Sequence, residues 1–139
     1  RQLKYLEQAE AAYEFVCTHP NLPEDLIPYW DFDAVNIPHE LRDASVAAIM
    51  AAALYELSMY SNKAEYKETA DKVMHSLSSS DYRSKIGENH NFLLMHSVGS
   101  YPHGSEIDVP LIYADYYFLE ALKRKRDCDI EAKSKSVQK

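Results

Sequence analysis

The sequence is short of positive charge. Its 139 residues carry 15 Lys and Arg against 22 Asp and Glu, for a net charge of −7 and a pI of about 5.3. That balance excludes a nucleic-acid-binding face, which needs a basic surface for phosphate contacts. The one basic run, Lys123-Arg-Lys-Arg126, does not reverse it, because it closes a helical pattern, where cations favour the helix dipole. Cysteine is scarce. Cys17 and Cys128 stand far apart and without metal-ligand spacing, so both are read as small buried hydrophobes, with a pairing left open. No apolar run reaches the length of a membrane-spanning helix, so no membrane partner is expected. No segment carries a strong strand pattern, and no clean repeat signature is present. The chain opens at Arg1, without methionine and inside a helical pattern, which makes a piece of a larger protein the expectation. A leader would then be hidden, leaving the compartment open between periplasm and cytoplasm of a bacterium.

What remains is enough for one domain, with 46% hydrophobic residues. Leu6, Ala9, Tyr13 and Val16 recur at helical spacing and predict a helix over 2–18. Pro20, Pro23, Pro28 and Pro38 then impose a long loop over 19–41. Asp43 is placed to cap a helix over 44–60, with Val46, Ile49, Met50, Ala53, Leu54 and Leu57 on one face and alanines on the other. A helix apolar or small all round is expected to be buried. Asn62 and Glu65 resemble a capping box for a half-exposed helix over 63–78, and 81–87 predicts a short helical turn. Gly99, Pro102 and Gly104 break a second loop over 88–107. Asp108 and Pro110 then predict the start of an aromatic, buried helix over 109–126, followed by a polar, frayed tail over 127–139. Outer and inner helices thus alternate in an all-α chain, and both long loops lead into inner helices.

Chemistry concentrates in those loops. Pro28-Tyr-Trp-Asp-Phe-Asp33 and Arg42-Asp-Ala-Ser45 bring an aromatic plate, three carboxylates, a guanidinium and a hydroxyl to one helix entrance. Aromatic faces pack on the C–H faces of sugar rings and fixed polar groups bind hydroxyls and carboxylates, so the combination points to a carbohydrate pocket. Long ordered loops of this kind are often functional.

Four stretches together resemble the C-terminal part of glycoside hydrolase family 88, the unsaturated glucuronyl hydrolases. They are Pro28-Tyr-Trp-Asp-Phe-Asp-Ala34, Arg42-Asp-Ala-Ser-Val-Ala-Ala-Ile49, Asn91-Phe-Leu-Leu-Met-His-Ser-Val-Gly99 and Asp115-Tyr-Tyr-Phe-Leu-Glu-Ala-Leu122. The resemblance covers 3–126 and implies part of an alpha/alpha six-hairpin barrel over 1–126, with 127–139 as tail. It implies removal of an unsaturated uronic acid from the non-reducing end of lyase-made oligosaccharides. An aspartic acid protonates the C4=C5 double bond, water adds at C5, and the hemiketal falls apart. No metal or organic cofactor is implied. The family's catalytic aspartates lie in the N-terminal half of its barrel, so no catalytic residue is assigned here, and this chain alone is expected to be inactive.

The candidate substrate-binding residues are Trp30, Asp31, Arg42, Asp43, His96, Ser97, Ser100 and His103. Trp30 is read as a sugar platform or as a loop anchor. Asp31 and Asp33 bind hydroxyls or close Asx turns. Arg42 has the fork geometry for a carboxylate or sulfate, or pairs structurally with an aspartate. Asp43 caps its helix or touches substrate. His96 bonds substrate, or a backbone carbonyl in the interior. Ser100, His103 and Ser105 resemble the family's region that borders the sugar beyond the scissile bond. Asp115, among aromatics, is read as an acid satisfied by a tyrosine or backbone group. Tyr13, Tyr60, Tyr66, Tyr113, Tyr116 and Tyr117 are read as packing.

The partners expected are an unsaturated uronic-acid oligosaccharide and either the remainder of the barrel or a second copy through exposed inner helices. A family 105 rhamnogalacturonyl hydrolase and a non-catalytic helical interaction module remain as alternatives.

Overall fold

The computed structural model describes residues 3–61 and 63–137. Four helices follow in order: α1 (Leu3–Cys17), α2 (Ala44–Tyr60), α3 (Glu65–Leu77) and α4 (Ile112–Val137). Two 3-10 turns, Asn89–Asn91 and Tyr101–His103, lie in the connection before α4. Among the described residues there is no strand, only isolated bridges. No helix among them is long and apolar enough to cross a membrane.

Helix α2 is the centre. Its alanines at 44, 47, 48, 51 and 52 are all buried, and α4 meets them with Ala114, Phe118 and Ala121. Small residues on both helices let the backbones approach closely, while Phe118 fills the remaining volume. Helix α3 covers another side of α2 with Tyr66, Ala70, Val73, Met74 and Leu77, spaced as one face of a helix. A fully buried Leu77 or Val73 contributes about 1.5–3 kcal/mol each. Helix α1 is attached more loosely and buries no residue of its own. Tyr13 holds it, edge-on to Tyr66 at 4.7 Å and with its hydroxyl 3.1 Å from that of Thr69.

Several sequence expectations change. The apolar face predicted for α2 is only partly covered: Leu54 and Leu57 are buried, while Val46, Ile49 and Ala53 are exposed. The same holds on α4 for Ile112, Tyr113, Tyr116, Leu119 and Leu122. These side chains are only partly covered by the chain itself. Tyr60, Tyr113 and Tyr116, read as packing, are partly exposed, with Tyr116 edge-on to Tyr117 at 5.1 Å. The predicted turn over 81–87 is instead a turn ending at Tyr82 and a bridge between Arg83 and Leu94. Asn62 lies outside the described residues, and α3 starts after Ala64 without a side-chain cap.

Helix α4 begins later and ends later than predicted. Asp108 sits at φ 52°, outside helical space, and does not cap it. At the other end the helix runs on to Val137. Polar residues support that extension through Lys123–Asp127 at 3.0 Å and Lys67–Asp129 at 3.1 Å, and α4 is further tied to α2 by Arg124, which donates to the Ala52 carbonyl at 2.7 Å.

Candidate functional site

The two loops meet where α2 and α4 begin. Asp43 starts the junction. Its Oδ1 accepts from the Ser45 amide at 2.9 Å, the Ser45 hydroxyl at 2.6 Å and, more weakly, the Val98 amide of the second loop at 3.4 Å. It is 5% exposed, so the N-cap expected from sequence is also a buried staple between loops. Its own amide donates to Pro28 O at 2.8 Å, and Ala44 donates to His96 O at 3.0 Å. One helix entrance thereby fixes both loops.

Trp30 is anchored on two sides. Its indole N–H donates to Glu40 at 3.0 Å, and its ring stacks on Tyr101 with centroids 4.1 Å apart and planes 15° apart. One face of the indole is thus occupied from within the chain, while Tyr101 remains 39% exposed. Asp31 accepts from the Asp33 amide at 2.8 Å, an Asx turn, and both side chains lie in solvent.

Arg42 spends its donors inward. Nε donates to Ile27 O at 2.9 Å, and the same guanidinium pairs with Asp25. Asp25 also accepts from the Tyr82 hydroxyl at 2.9 Å. Burial, with that bond to a carboxylate, pushes the Tyr82 phenol well above its ordinary range. This Arg42–Asp25–Tyr82 chain ties the first loop to the segment that leads into the second.

His96 and Asp108 face each other across the Ser97–Val109 bridge, with Nδ1 2.7 Å from Oδ1. Both are exposed, and both hold left-handed backbone, φ 63° and 52°. Ser97 between them and the core is fully enclosed, and its hydroxyl has no protein partner among the described residues. Ser100 lies 3.0 Å from the His103 imidazole at the tip of the same loop. Glu106 folds its carboxylate over Gly99, where a Cβ would sit 2.2 Å from Oε2. Partial burial raises the phenol of Tyr113, on the first turn of α4.

Asp115 takes the role of a satisfied acid. Its two oxygens accept the backbone amides of Leu93 and Leu94 at 2.8 and 2.9 Å, which hangs the second loop on α4.

The geometry therefore gathers Trp30, Asp43, His96, Ser97, Ser100 and His103 in two joined loops at one end of the inner helices. It turns Arg42 toward Asp25 and leaves Asp31 at the outer edge. Sequence reasoning passed over Tyr101, Glu40, Asp25 and Glu106, and assigned Asp108 to a helix cap. Only Tyr101 carried a local signal, an aromatic between Gly99 and Pro102 in a loop. No group of three or more His, Cys, Asp or Glu among the described residues is arranged to hold a metal ion.

No protein-family model matches the chain. An unsaturated glucuronyl hydrolase of Formosa agariphila is 50% identical over 124 residues, covering 89% of this chain and 31% of that protein. A solved unsaturated glucuronyl hydrolase specific for heparin superposes with a TM-score of 0.90 at 46% identity, over 92% of this chain and 35% of that one. A mutant unsaturated glucuronyl hydrolase of Streptococcus agalactiae, complexed with dGlcA-GalNAc6S, superposes with a TM-score of 0.74 at 28% identity, over 89% and 34%. The chain spans about a third of the length of these relatives. With its alternating helices and its two loops gathered at one end, the chain belongs to the unsaturated glucuronyl hydrolases, glycoside hydrolase family 88, and folds as a segment of their alpha/alpha barrel.

Proposed function

We propose that this chain forms one wall of the sugar-binding cleft in a hydrolase that removes unsaturated glucuronic acid from the non-reducing end of lyase-generated, glycosaminoglycan-type oligosaccharides. The observation that supports it most is the junction at the start of α2. There Asp43 joins the two loops, and the Trp30–Tyr101 stack lies on the same joined loops as His96, Ser100 and His103. Stacked aromatics with polar groups beside them suit a sugar ring, whose C–H face packs on the plate while its hydroxyls find donors and acceptors.

The reaction hydrates a vinyl ether. A carboxylic acid gives its proton to C4, the positive charge develops at C5 and on the ring oxygen, and water adds at C5. The hemiketal then opens and releases the rest of the sugar. The proton donor must hold its proton near neutrality. Among the carboxyls of this chain, Glu10, Asp71 and Asp127 are pushed down by lysine partners, the wrong direction for that task. Asp115 and Asp43 are committed to backbone amides. The acid in this reading comes from the rest of the barrel, while Trp30, Asp43, His96, Ser97, Ser100 and His103 build or support the wall that orients the sugar. Arg42 acts behind the wall through Asp25, and Asp31 shapes its edge.

The test is a chimera in which this chain replaces the matching third of the Formosa agariphila relative. Ultraviolet absorbance of the conjugated double bond reports turnover of dGlcA-GalNAc6S. The chimera is expected to bleach it and the 139-residue chain alone to leave it unchanged. Bleaching by the chain alone would place the acid within these residues. A folded chimera that neither binds nor turns over any unsaturated uronate would overturn the reading.

A further inference from the structure

His96 and Asp108 form a pair that adds little to stability. Both side chains are more than 40% exposed, 45% and 43%, so water competes for their hydrogen bond. Both residues sit in the left-handed region, which histidine and aspartate enter more readily than most non-glycine residues. The surroundings hold His96 there. The Met95 amide donates to Tyr82 O at 2.8 Å, His96 O accepts from Ala44 at 3.0 Å, and Ser97 and Val109 exchange bonds at 3.1 and 3.0 Å. Three separate elements pin the backbone around His96 so that its ring turns outward instead of into the core. Asp108 leaves the opposite side of the same bridge and meets Nδ1.

That contact decides what the ring offers. An ionised Asp108 only accepts, so Nδ1 carries the proton, and the lone pair of the neutral ring stays on Nε2. Nε2 makes no hydrogen bond among the described residues. Asp108 holds the other ring nitrogen, and the Tyr82 ring stands nearly perpendicular to the imidazole with centroids 6.4 Å apart. A carboxylate or sulfate would meet repulsion from the Asp108 carboxylate. A neutral hydroxyl would not.

We propose that His96 is a direct sugar contact whose Nε2 accepts a hydrogen bond from a substrate hydroxyl, and that Asp108 is a positioning residue that fixes the tautomer and the ring. The inference rests on the reading of this end as a sugar cleft, and it names the atom and the group recognised.

The test uses the full 139-residue chain with histidine-selective nitrogen-15 labelling, and dGlcA-GalNAc6S as the probe. In the free protein the His96 nitrogen shifts are expected to report a proton on Nδ1. Added disaccharide should move Nε2 saturably. Asp108→Asn should redistribute the tautomers and weaken the saturable shift at least tenfold, and Asp108→Glu should restore most of it. A resonance that stays still up to tens of millimolar disaccharide, or that responds equally in Asp108→Asn, would overturn the proposal. Helical circular dichroism confirms folding of both variants, which alter only an exposed side chain. A silent His96 beside an active chimera sinks this inference alone. A saturable shift beside an inactive chimera sinks the hydrolase reading alone.

Discussion

Trp30 lies flat on Tyr101, and this stack, 4.1 Å between centroids, joins the tips of the two long loops. The contact is partly open to solvent, so its share of stability is modest, about 0.5–1.5 kcal/mol for an aromatic pair. Its share of order is larger, because no other aromatic pair joins these loops among the described residues. Trp30 is the chain's only tryptophan, which makes it a reporter. Tyr101→Ala is expected to red-shift the emission and raise its quenching by iodide, while Tyr101→Phe keeps the native spectrum. An unchanged spectrum in Tyr101→Ala would mean that the stack does not persist in solution.

Asp115→Asn tests the suspension of the second loop from α4. The carboxylate accepts two backbone amides, and an amide side chain can accept only through its one oxygen. Losing one charge-assisted bond and leaving an amide unpaired costs about 1.5–3 kcal/mol. A lower urea midpoint at unchanged slope is expected, together with faster proteolysis in the 88–107 loop. A midpoint within error of the parent would contradict the role given to Asp115.

How far these contacts were legible from sequence depends on their range. Asp43 is a correct cap because a cap needs only the residue and the two that follow it. Asp108 has the same local signature and is not a cap, because a histidine twelve residues earlier captures its side chain. Pro110 points to a helix start nearby, but the missing amide says nothing about which turn comes first. Glu40, Asp25 and Tyr101 act through partners remote in sequence, and no window of periodicity contains them. The end of α4 hides for a related reason: its polar residues look like a tail until Lys67 of α3 reaches Asp129.

Asp71 sets an acid limb for stability. Burial opposes its ionisation, but bonds from Lys125, Lys67 and Tyr55 outweigh that and hold its carboxyl at about 2, against an ordinary 3.8. A folded-state value below the unfolded one stabilises at pH above about 4 and loses that contribution as pH falls through 4 toward 2. A third of the side chain is exposed, so after screening the effect is on the order of 1 kcal/mol. Urea melts between pH 5 and pH 2 are expected to show a shallower decline in Asp71→Asn than in the parent. Parallel declines would remove Asp71 from the acid response.

Gly99 and Glu106 should be coupled. An alanine at 99 would place its Cβ 2.2 Å from the Glu106 carboxylate and 3.1 Å from Glu106 Cβ. The carboxylate can swing into solvent, so Gly99→Ala is expected to cost only about 0.5–1 kcal/mol, while displacing Glu106. Adding Glu106→Ala should recover most of that loss, giving a coupling of at least about 0.5 kcal/mol in a double-mutant cycle. Additive effects would show that the two residues do not contact each other.

The last prediction concerns the open sides of the inner helices. Val46 and Ile49 on α2 are 43% and 38% exposed, and Ile112 and Leu119 on α4 are 72% and 53% exposed. Apolar faces of this kind are rare on a monomer and mark surfaces that associate. The relatives are about three times as long. The 139-residue chain by itself has only its own copies to offer. Sedimentation velocity is therefore expected to show mass rising with concentration through the micromolar range. Ile112→Lys with Leu119→Lys should shift that rise upward at least tenfold in concentration while keeping the helical signal, since neither residue contributes to the core. A monomer at every concentration that also melts sharply would show that these faces do not drive association.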